Sequence, residues 1–157
     1  MKTEDLSVQV ISRLKQEGLT LATAESCTGG LIGKMLTDVP GASAVYLGGV
    51  ISYTNAVKHR LLGVAEETLE VCTAVSRETA KEMARGAREV IHAALGVSVT
   101  GLAGPDGDGT GRPVGLVYIA IDGSGFSFCR ELHLAGGRSL IRQQAAEAVL
   151  QMVLEFI

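Results

Sequence analysis

Apolar side chains recur along this chain with two different periods, one typical of helices and one typical of strands. Spacings of three and four residues predict a first helix over about residues 4–17 and a last helix over about residues 138–156. Between them, Ser76 is a good N-cap for a long helix that is expected to end at residues 95–96. In the last helix, the side chains expected to face the core are Leu140, Ile141, Ala145, Ala148, Val149, Met152 and Val153.

Alternating or short continuous apolar segments predict the strands. They lie at residues 19–24, 45–53, 97–100, 114–121 and 126–134, and the last two are expected to form a hairpin. After the first strand, a helix is expected to begin at Gly29 or Gly30 and to end before Pro40. Asn55 is a candidate N-cap for a short helix that Gly63 ends.

This order of elements predicts an α/β fold: a single three-layer α/β/α domain with a mixed β-sheet. The chain has 157 residues, the usual size of one domain, so residues 1–157 are expected to form one unit. In such folds ligands bind at the carboxyl ends of the strands. Two unusual segments, residues 25–30 and 100–111, each follow a predicted strand, so we expect them to share one cleft.

Composition and charge exclude several classes of protein. Apolar residues make up 46% of the chain and charged residues 20%, as in ordinary globular proteins. The net charge of −3 provides no overall basic field for nucleic acid. No apolar run approaches the roughly 20 residues that span a membrane, and the charged start MKTEDLSVQV is unlike a secretory signal.

The three cysteines, Cys27, Cys72 and Cys129, cannot all pair with one another, and none has a Cys or His partner at zinc spacing. We therefore expect a reduced, cytoplasmic protein without a metal site or a cofactor. Its expected partner is a small molecule rather than nucleic acid or a membrane. The high apolar fraction is compatible with a homo-oligomer.

The turn that follows the first predicted strand carries a candidate nucleophile, Ser26. Backbone N–H groups at the start of the next helix could stabilise an oxyanion there, as a hydrolase requires. The same geometry suits a bound phosphate, and Ser26 or Thr28 could equally serve only as a helix N-cap. Cys27 is a rival nucleophile, because a helix N-terminus lowers the pKa of a thiol; otherwise it is a small buried apolar residue.

A candidate base, Lys58, lies early in a predicted helix. The positive end of the helix dipole disfavours a charged lysine there, and a neutral lysine can deprotonate a serine. Tyr53, at the end of the preceding strand, could relay a proton or orient Lys58. The alternative is a solvated surface lysine, and His59 is another candidate base.

Two further segments could bind an anion. Successive N–H groups of the glycine-rich loop at residues 100–115 could form an anion nest, unless the loop is simply solvated. Its Asp106 and Asp108 lack the downstream glutamate of a calcium-binding loop, and they would repel a phosphate unless they point away. Arg138 and Arg142 lie one turn apart and could clamp a phosphate or make surface ion pairs.

Taken together, these segments resemble one family, that of the CinA C-terminal domain. The motifs that carry the resemblance are AESCTGG at 24–30, SYTNAVK at 52–58, TGLAGP at 100–105, PVG at 113–115 and GGRSLIR at 136–142. They occur in the family's order and cover nearly the whole chain. Members of this family hydrolyse the carboxamide of nicotinamide mononucleotide to nicotinate mononucleotide and ammonia, without a metal.

The resemblance implies Ser26 as the nucleophile, Lys58 as the general base and Tyr53 as an assisting group. The residues that it implies for substrate binding are Thr28, Gly29, Gly30, Thr100, Gly101, Ala103, Gly104 and Arg142. A nucleotide-binding module without efficient turnover is the alternative, and retention of all three catalytic residues favours the enzyme. A cysteine-dependent acyl or redox protein built on Cys27 is a third hypothesis.

Overall fold

The computed structural model describes residues 3–157. Its helices are α1 (Thr3–Glu17), α2 (Leu31–Thr37), α3 (Asn55–Leu62), α4 (Glu66–Val71), α5 (Arg77–Ile91) and α6 (Arg138–Phe156). Its strands are β1 (Leu21–Glu25), β2 (Tyr46–Ile51), β3 (Leu95–Gly101), β4 (Leu116–Gly123) and β5 (Phe126–His133). No helix in this part of the chain is both long and apolar enough to cross a bilayer.

The strands form one mixed sheet in the order β2-β1-β3-β4-β5. Strand β1 runs parallel to β2 and β3, whereas β4 runs antiparallel to β3 and continues into β5 as a hairpin. The parallel connections require helical crossovers, whereas β4 and β5 are joined by a short turn and β3 reaches β4 through the long segment 102–115. The predicted α/β fold with a mixed sheet is confirmed.

Helices cover both faces of this sheet, because successive side chains of a strand point to opposite faces. Leu21 of β1 belongs to the larger apolar cluster, which includes residues of α1, α2 and α6. Its neighbour Ala22 belongs to a second cluster with Met83 and Ala87 of α5. Backbones approach closely on that second side, where a Cβ on Gly96 of β3 would collide with the carbonyl oxygen of Ala84. The layers are therefore helix, sheet and helix.

The three parallel strands end together. In their register, Glu25 at the end of β1 pairs with Ile51 of β2 on one side and with Val99 of β3 on the other. The residues that follow these strand ends, Ser26 and Ser52, consequently lie at one edge of the sheet. This edge is where the strand order predicts that functional side chains collect.

Two local predictions were wrong at the ends of helices, and one short helix was not predicted. Helix α3 is capped by Thr54, whose hydroxyl accepts from Val57 N–H at 3.4 Å, and Asn55 is the first helical residue. Helix α5 ends at Ile91, with His92 in the left-handed conformation as its C-cap, so residues 95–96 begin β3 instead. The short helix α4 was not predicted, because six residues carry too little periodic signal.

The predicted inner face of α6 is correct along most of the helix, with two exceptions. Leu140 is 53% exposed, and Ala148 is half-buried. Leu140 lies in the first turn of α6, before the buried run that begins at Ile141. The helical spacing identifies the apolar side of the helix, but it does not identify the residue at which neighbouring elements begin to bury that side.

Candidate active site

A direct contact joins Ser26 and Lys58, which are 32 residues apart in the sequence. Lys58 Nζ lies 2.9 Å from Ser26 Oγ, 2.8 Å from the carbonyl oxygen of Ser52 and 3.5 Å from that of Tyr53. Lys58 is only 1% exposed, so it is not a solvated surface lysine. The predicted meeting of the serine and the lysine at one edge of the sheet is confirmed.

Burial lowers the pKa of Lys58 from 10.5 to about 8, because the charged ammonium is poorly solvated there. The sequence predicted this direction from the helix dipole, whereas the cause is desolvation. In its neutral form the amine can keep two N–H bonds, to the carbonyls of Ser52 and Tyr53. Its lone pair is then free to accept the hydroxyl proton of Ser26. The geometry thus suits a general base.

The thiol of Cys27 has the opposite electrostatic environment. Burial raises the pKa of Cys27 to about 11, and the favourable field of Lys58 and Arg142 only partly offsets that rise. The expectation of a lowered thiol pKa at the helix start is therefore wrong. A thiol that stays protonated near neutral pH is a poor nucleophile, and this favours Ser26.

The turn that holds Ser26 is fixed by a buried carboxylate, that of Glu25. One oxygen of Glu25 accepts from the Thr28 hydroxyl at 2.7 Å and from Ile32 N–H at 2.9 Å, and the other accepts from Gly33 N–H at 3.0 Å. The start of α2 is therefore occupied by the protein's own anion. This argues against the alternative of a phosphate bound there, and the alternative that Ser26 or Thr28 only caps the helix does not hold.

Sequence reasoning gave Glu25 no role, although a signal existed. An acidic residue inside a short buried strand needs partners, and the unpaired N–H groups of a helix that starts a few residues later can supply them. The residue that occupies the N-cap position is Gly30, with a φ of 105° and no side-chain cap.

The N–H groups of this turn are only partly available for an oxyanion. Gly29 N–H already donates to the carbonyl of Ser26 at 3.1 Å, which removes one of the predicted donors. Within residues 3–157, no backbone carbonyl accepts from the N–H groups of Cys27 and Thr28. These two amides remain as candidate oxyanion donors beside Ser26.

The two arginines of α6 have different positions. Arg142 donates through Nε to the carbonyl of Cys27 at 2.9 Å and through Nη2 to that of Thr28 at 3.0 Å. Arg138 donates instead to the carbonyl of Gly104 at 2.6 Å and to the hydroxyl of Tyr53 at 3.1 Å. The prediction that Arg142 meets the nucleotide is therefore not supported by its position, since its donors hold the serine turn.

A cleft of about 280 Å³ opens beside Ser26 and Lys58. Of the residues predicted to bind substrate, those in its wall are Thr100, Gly101 and Ala103. The predicted residues that lie outside the wall are Thr28, Gly29, Gly30, Gly104 and Arg142. Arg138 and Asp108 also line it. The sequence had paired Arg138 with Arg142 as a candidate phosphate clamp, whereas Asp108 was not expected to bind substrate. A larger hollow of about 580 Å³ between α1, α2 and α6 lies away from this chemistry.

Tyr53 lies in the cleft wall but not between the serine and the lysine. Its side chain is 59% exposed, and its hydroxyl accepts from Arg138. Only its backbone carbonyl contacts Lys58. Tyr53 therefore contacts Lys58 through its backbone carbonyl alone, and its hydroxyl contacts Arg138.

Known proteins share both the sequence pattern and the fold of this chain. Residues 3–157 match the model of the CinA C-terminal domain. The chain belongs to the CinA C-terminal domain family. Among curated CinA relatives, a competence-damage inducible protein of Caldanaerobacter subterraneus subsp. tengcongensis is 46% identical over 154 residues. That match covers 98% of this chain but 37% of the relative, so the chain spans about a third of the curated relatives that it matches.

Solved CinA-family structures share the whole fold. The competence/damage inducible protein CihA of Agrobacterium tumefaciens is 42% identical with a TM-score of 0.94, and the match covers 98% of this chain and 94% of that one. A CinA superfamily protein of Escherichia coli is 33% identical with a TM-score of 0.97, covering 99% and 91%.

Proposed function

We propose that this CinA-family domain is a nicotinamide-nucleotide amidase, which hydrolyses the carboxamide of nicotinamide mononucleotide in pyridine nucleotide recycling. The observation that carries the proposal is the 2.9 Å contact between Ser26 Oγ and the buried Lys58 Nζ, whose pKa is lowered to about 8. A serine beside a lysine that is readily neutral is the arrangement that Ser-Lys hydrolases use.

In the first half of the proposed reaction, neutral Lys58 takes the proton of Ser26 while Oγ attacks the carboxamide carbon. The negative charge that develops on the carbonyl oxygen meets the N–H groups of Cys27 and Thr28. Lys58 then returns its proton to the amide nitrogen, and ammonia leaves as the C–N bond breaks. The product is a nicotinoyl ester on Ser26.

In the second half, Lys58 takes a proton from water, and the hydroxide attacks the ester carbon. The Ser26 oxygen leaves and recovers its proton from Lys58. Nicotinate mononucleotide is released, and the enzyme returns to its starting state. The two halves consume one amide and one water and release one acid and one ammonia.

The walls of the cleft support a nucleotide of this kind. Arg138 in the wall supplies a guanidinium that can meet a phosphate. The volume of about 280 Å³ suits a small ligand rather than a polymer.

The direct test is incubation of the protein with nicotinamide mononucleotide and measurement of released ammonia. The proposal expects stoichiometric ammonia and nicotinate mononucleotide. Tight binding of the nucleotide without ammonia would instead identify a binding module of the same fold.

A further inference from the structure

Asp108 brings a negative charge into the cleft that holds Ser26 and Lys58. Among the cleft-lining residues, all within the described chain, it is the single carboxylic acid, and the two cations are Lys58 and Arg138. Both cations already have partners, Lys58 in Ser26 and Arg138 in the hydroxyl of Tyr53. The carboxylate of Asp108 therefore lines the cleft beside two cations that are already hydrogen-bonded to other groups.

The loop around Asp108 favours the ionised carboxylate, while the neighbouring cation Arg112 makes its hydrogen bonds to other groups. The Asp108 carboxylate accepts from Thr110 N–H at 3.0 Å and from the Thr110 hydroxyl, and the latter bond lowers the pKa of Asp108. Arg112, in the same loop, donates to the segment 72–75 instead. None of the ion pairs found within residues 3–157 involves Asp108.

The ligand considered for this cleft is the one given by the proposed function. In nicotinamide mononucleotide the ring nitrogen is bonded to ribose, so the ring is a positively charged pyridinium. When the carboxamide carbon meets Ser26 Oγ, the attached ring must occupy the same small cleft. A carboxylate in the wall of that cleft attracts the cationic ring, whereas a neutral ring gains nothing from the charge.

We propose that Asp108 is a specificity-determining residue that selects a positively charged pyridinium ring over a neutral ring with the same amide and phosphate. The same charge opposes the phosphate of the substrate, so the phosphate is expected to lie nearer Arg138 than Asp108. Charge selection by Asp108 thus complements the chemistry at Ser26.

The test compares two ligands that differ in ring charge, nicotinamide mononucleotide and its reduced dihydropyridine form. Their dissociation constants are measured by calorimetry on the Ser26→Ala protein, which prevents turnover, with and without Asp108→Asn. We expect Asp108→Asn to weaken the cationic ligand about tenfold and to leave the neutral one unchanged. The matched control is Asp106→Asn, an exposed carboxylate of the same loop outside the cleft wall, which should leave the ratio unchanged.

Other outcomes overturn the proposal in distinguishable ways. Equal weakening of both ligands would make Asp108 a residue that only structures its loop, and tighter binding of the mononucleotide would place the carboxylate beside the phosphate. If the wild-type protein hydrolyses the mononucleotide but Asp108→Asn leaves the ratio of the two dissociation constants unchanged, charge selection is refuted and the proposed function is not. A wild-type protein that neither binds nor hydrolyses the mononucleotide would refute the proposed function, and charge selection with it.

Discussion

The guanidinium of Arg142 holds the carbonyl oxygen of Cys27 at 2.9 Å, and so ties the last helix to the turn that presents Ser26. A second bond, to the carbonyl of Thr28, completes the tie. The Thr28 carbonyl also accepts from Leu31 N–H, whereas within residues 3–157 no backbone N–H outside the helices and strands donates to that of Cys27. The arginine therefore satisfies the Cys27 carbonyl and fixes the turn that carries the serine. Arg138, one helical turn earlier, has a different position because it lines the cleft.

This difference predicts a split between the two arginines. Arg142→Ala should lower kcat by about ten- to a hundredfold with a small change in KM, because it loosens the nucleophile without touching substrate. Arg138→Ala should mainly raise KM. Steady-state kinetics with nicotinamide mononucleotide measures both, and a rise in KM alone for Arg142→Ala would contradict the positions described.

Glu25 should be important for stability. Glu25→Gln replaces one acceptor by an NH₂ group that faces the N–H of Gly33, so we expect a loss of about 1–3 kcal/mol in the free energy of unfolding. Urea denaturation measures the loss. The control Glu67→Gln changes an exposed acid in the first turn of α4 and should cost less than about 0.5 kcal/mol. Equal effects of the two substitutions would show that Glu25 is not a buried cap.

Activity should rise with pH through the pKa of Lys58. Only the neutral amine can accept the serine proton, and its pKa is about 8, so kcat/KM should rise about tenfold per pH unit below that value and level off above it. Ammonia release across this range measures the profile. Cys27→Ala should keep the same rising limb. A profile that is flat through pH 8 would remove Lys58 as the base.

The same pKa shift predicts how stability depends on pH. Folding lowers the pKa of Lys58 from 10.5 to about 8, so between these values the unfolded chain binds more protons and stability rises with pH. The unfavourable effect of the buried charge is fully present below about pH 8 and is relieved towards pH 10.5. Relative to wild type, Lys58→Met should therefore lose about 2–3 kcal/mol of stability as the pH rises through this window. A difference between the two proteins that does not change with pH would contradict the burial of a titrating lysine.

The meeting of Ser26 and Lys58 could be predicted from the sequence because it depends on topology. Each residue follows or lies just beyond the end of a parallel strand, and such ends meet at one edge of a sheet. The burial of Lys58 could not be predicted, because its cover comes from elements distant in the sequence. For the same reason, the sequence attributed the lowered pKa of Lys58 to the dipole of α3, although desolvation causes it.

The choice between the arginines of α6 was also beyond the sequence. Arg138 and Arg142 lie one turn apart and share a helix face, so their spacing is the same whichever of them lines the cleft. Which arginine lines the cleft depends on how far α6 extends past the sheet. Packing of α6 against α1 and α2 sets that extent. The role of Glu25 was not predicted, because the partners of its buried carboxylate are N–H groups of α2 that only the folded structure places beside it.

The comparison of Ser26→Ala with Cys27→Ala in the ammonia-release assay tests the central claim most directly. The two residues are adjacent in one turn, and both line the cleft. Each substitution therefore shows how much activity is lost simply by changing a side chain in this turn. If Ser26 is the covalent nucleophile, Ser26→Ala should reduce kcat by about 10³-fold or more while the fold stays intact. Cys27→Ala should keep most of the activity. Loss of activity in Cys27→Ala with full activity in Ser26→Ala would contradict the serine mechanism.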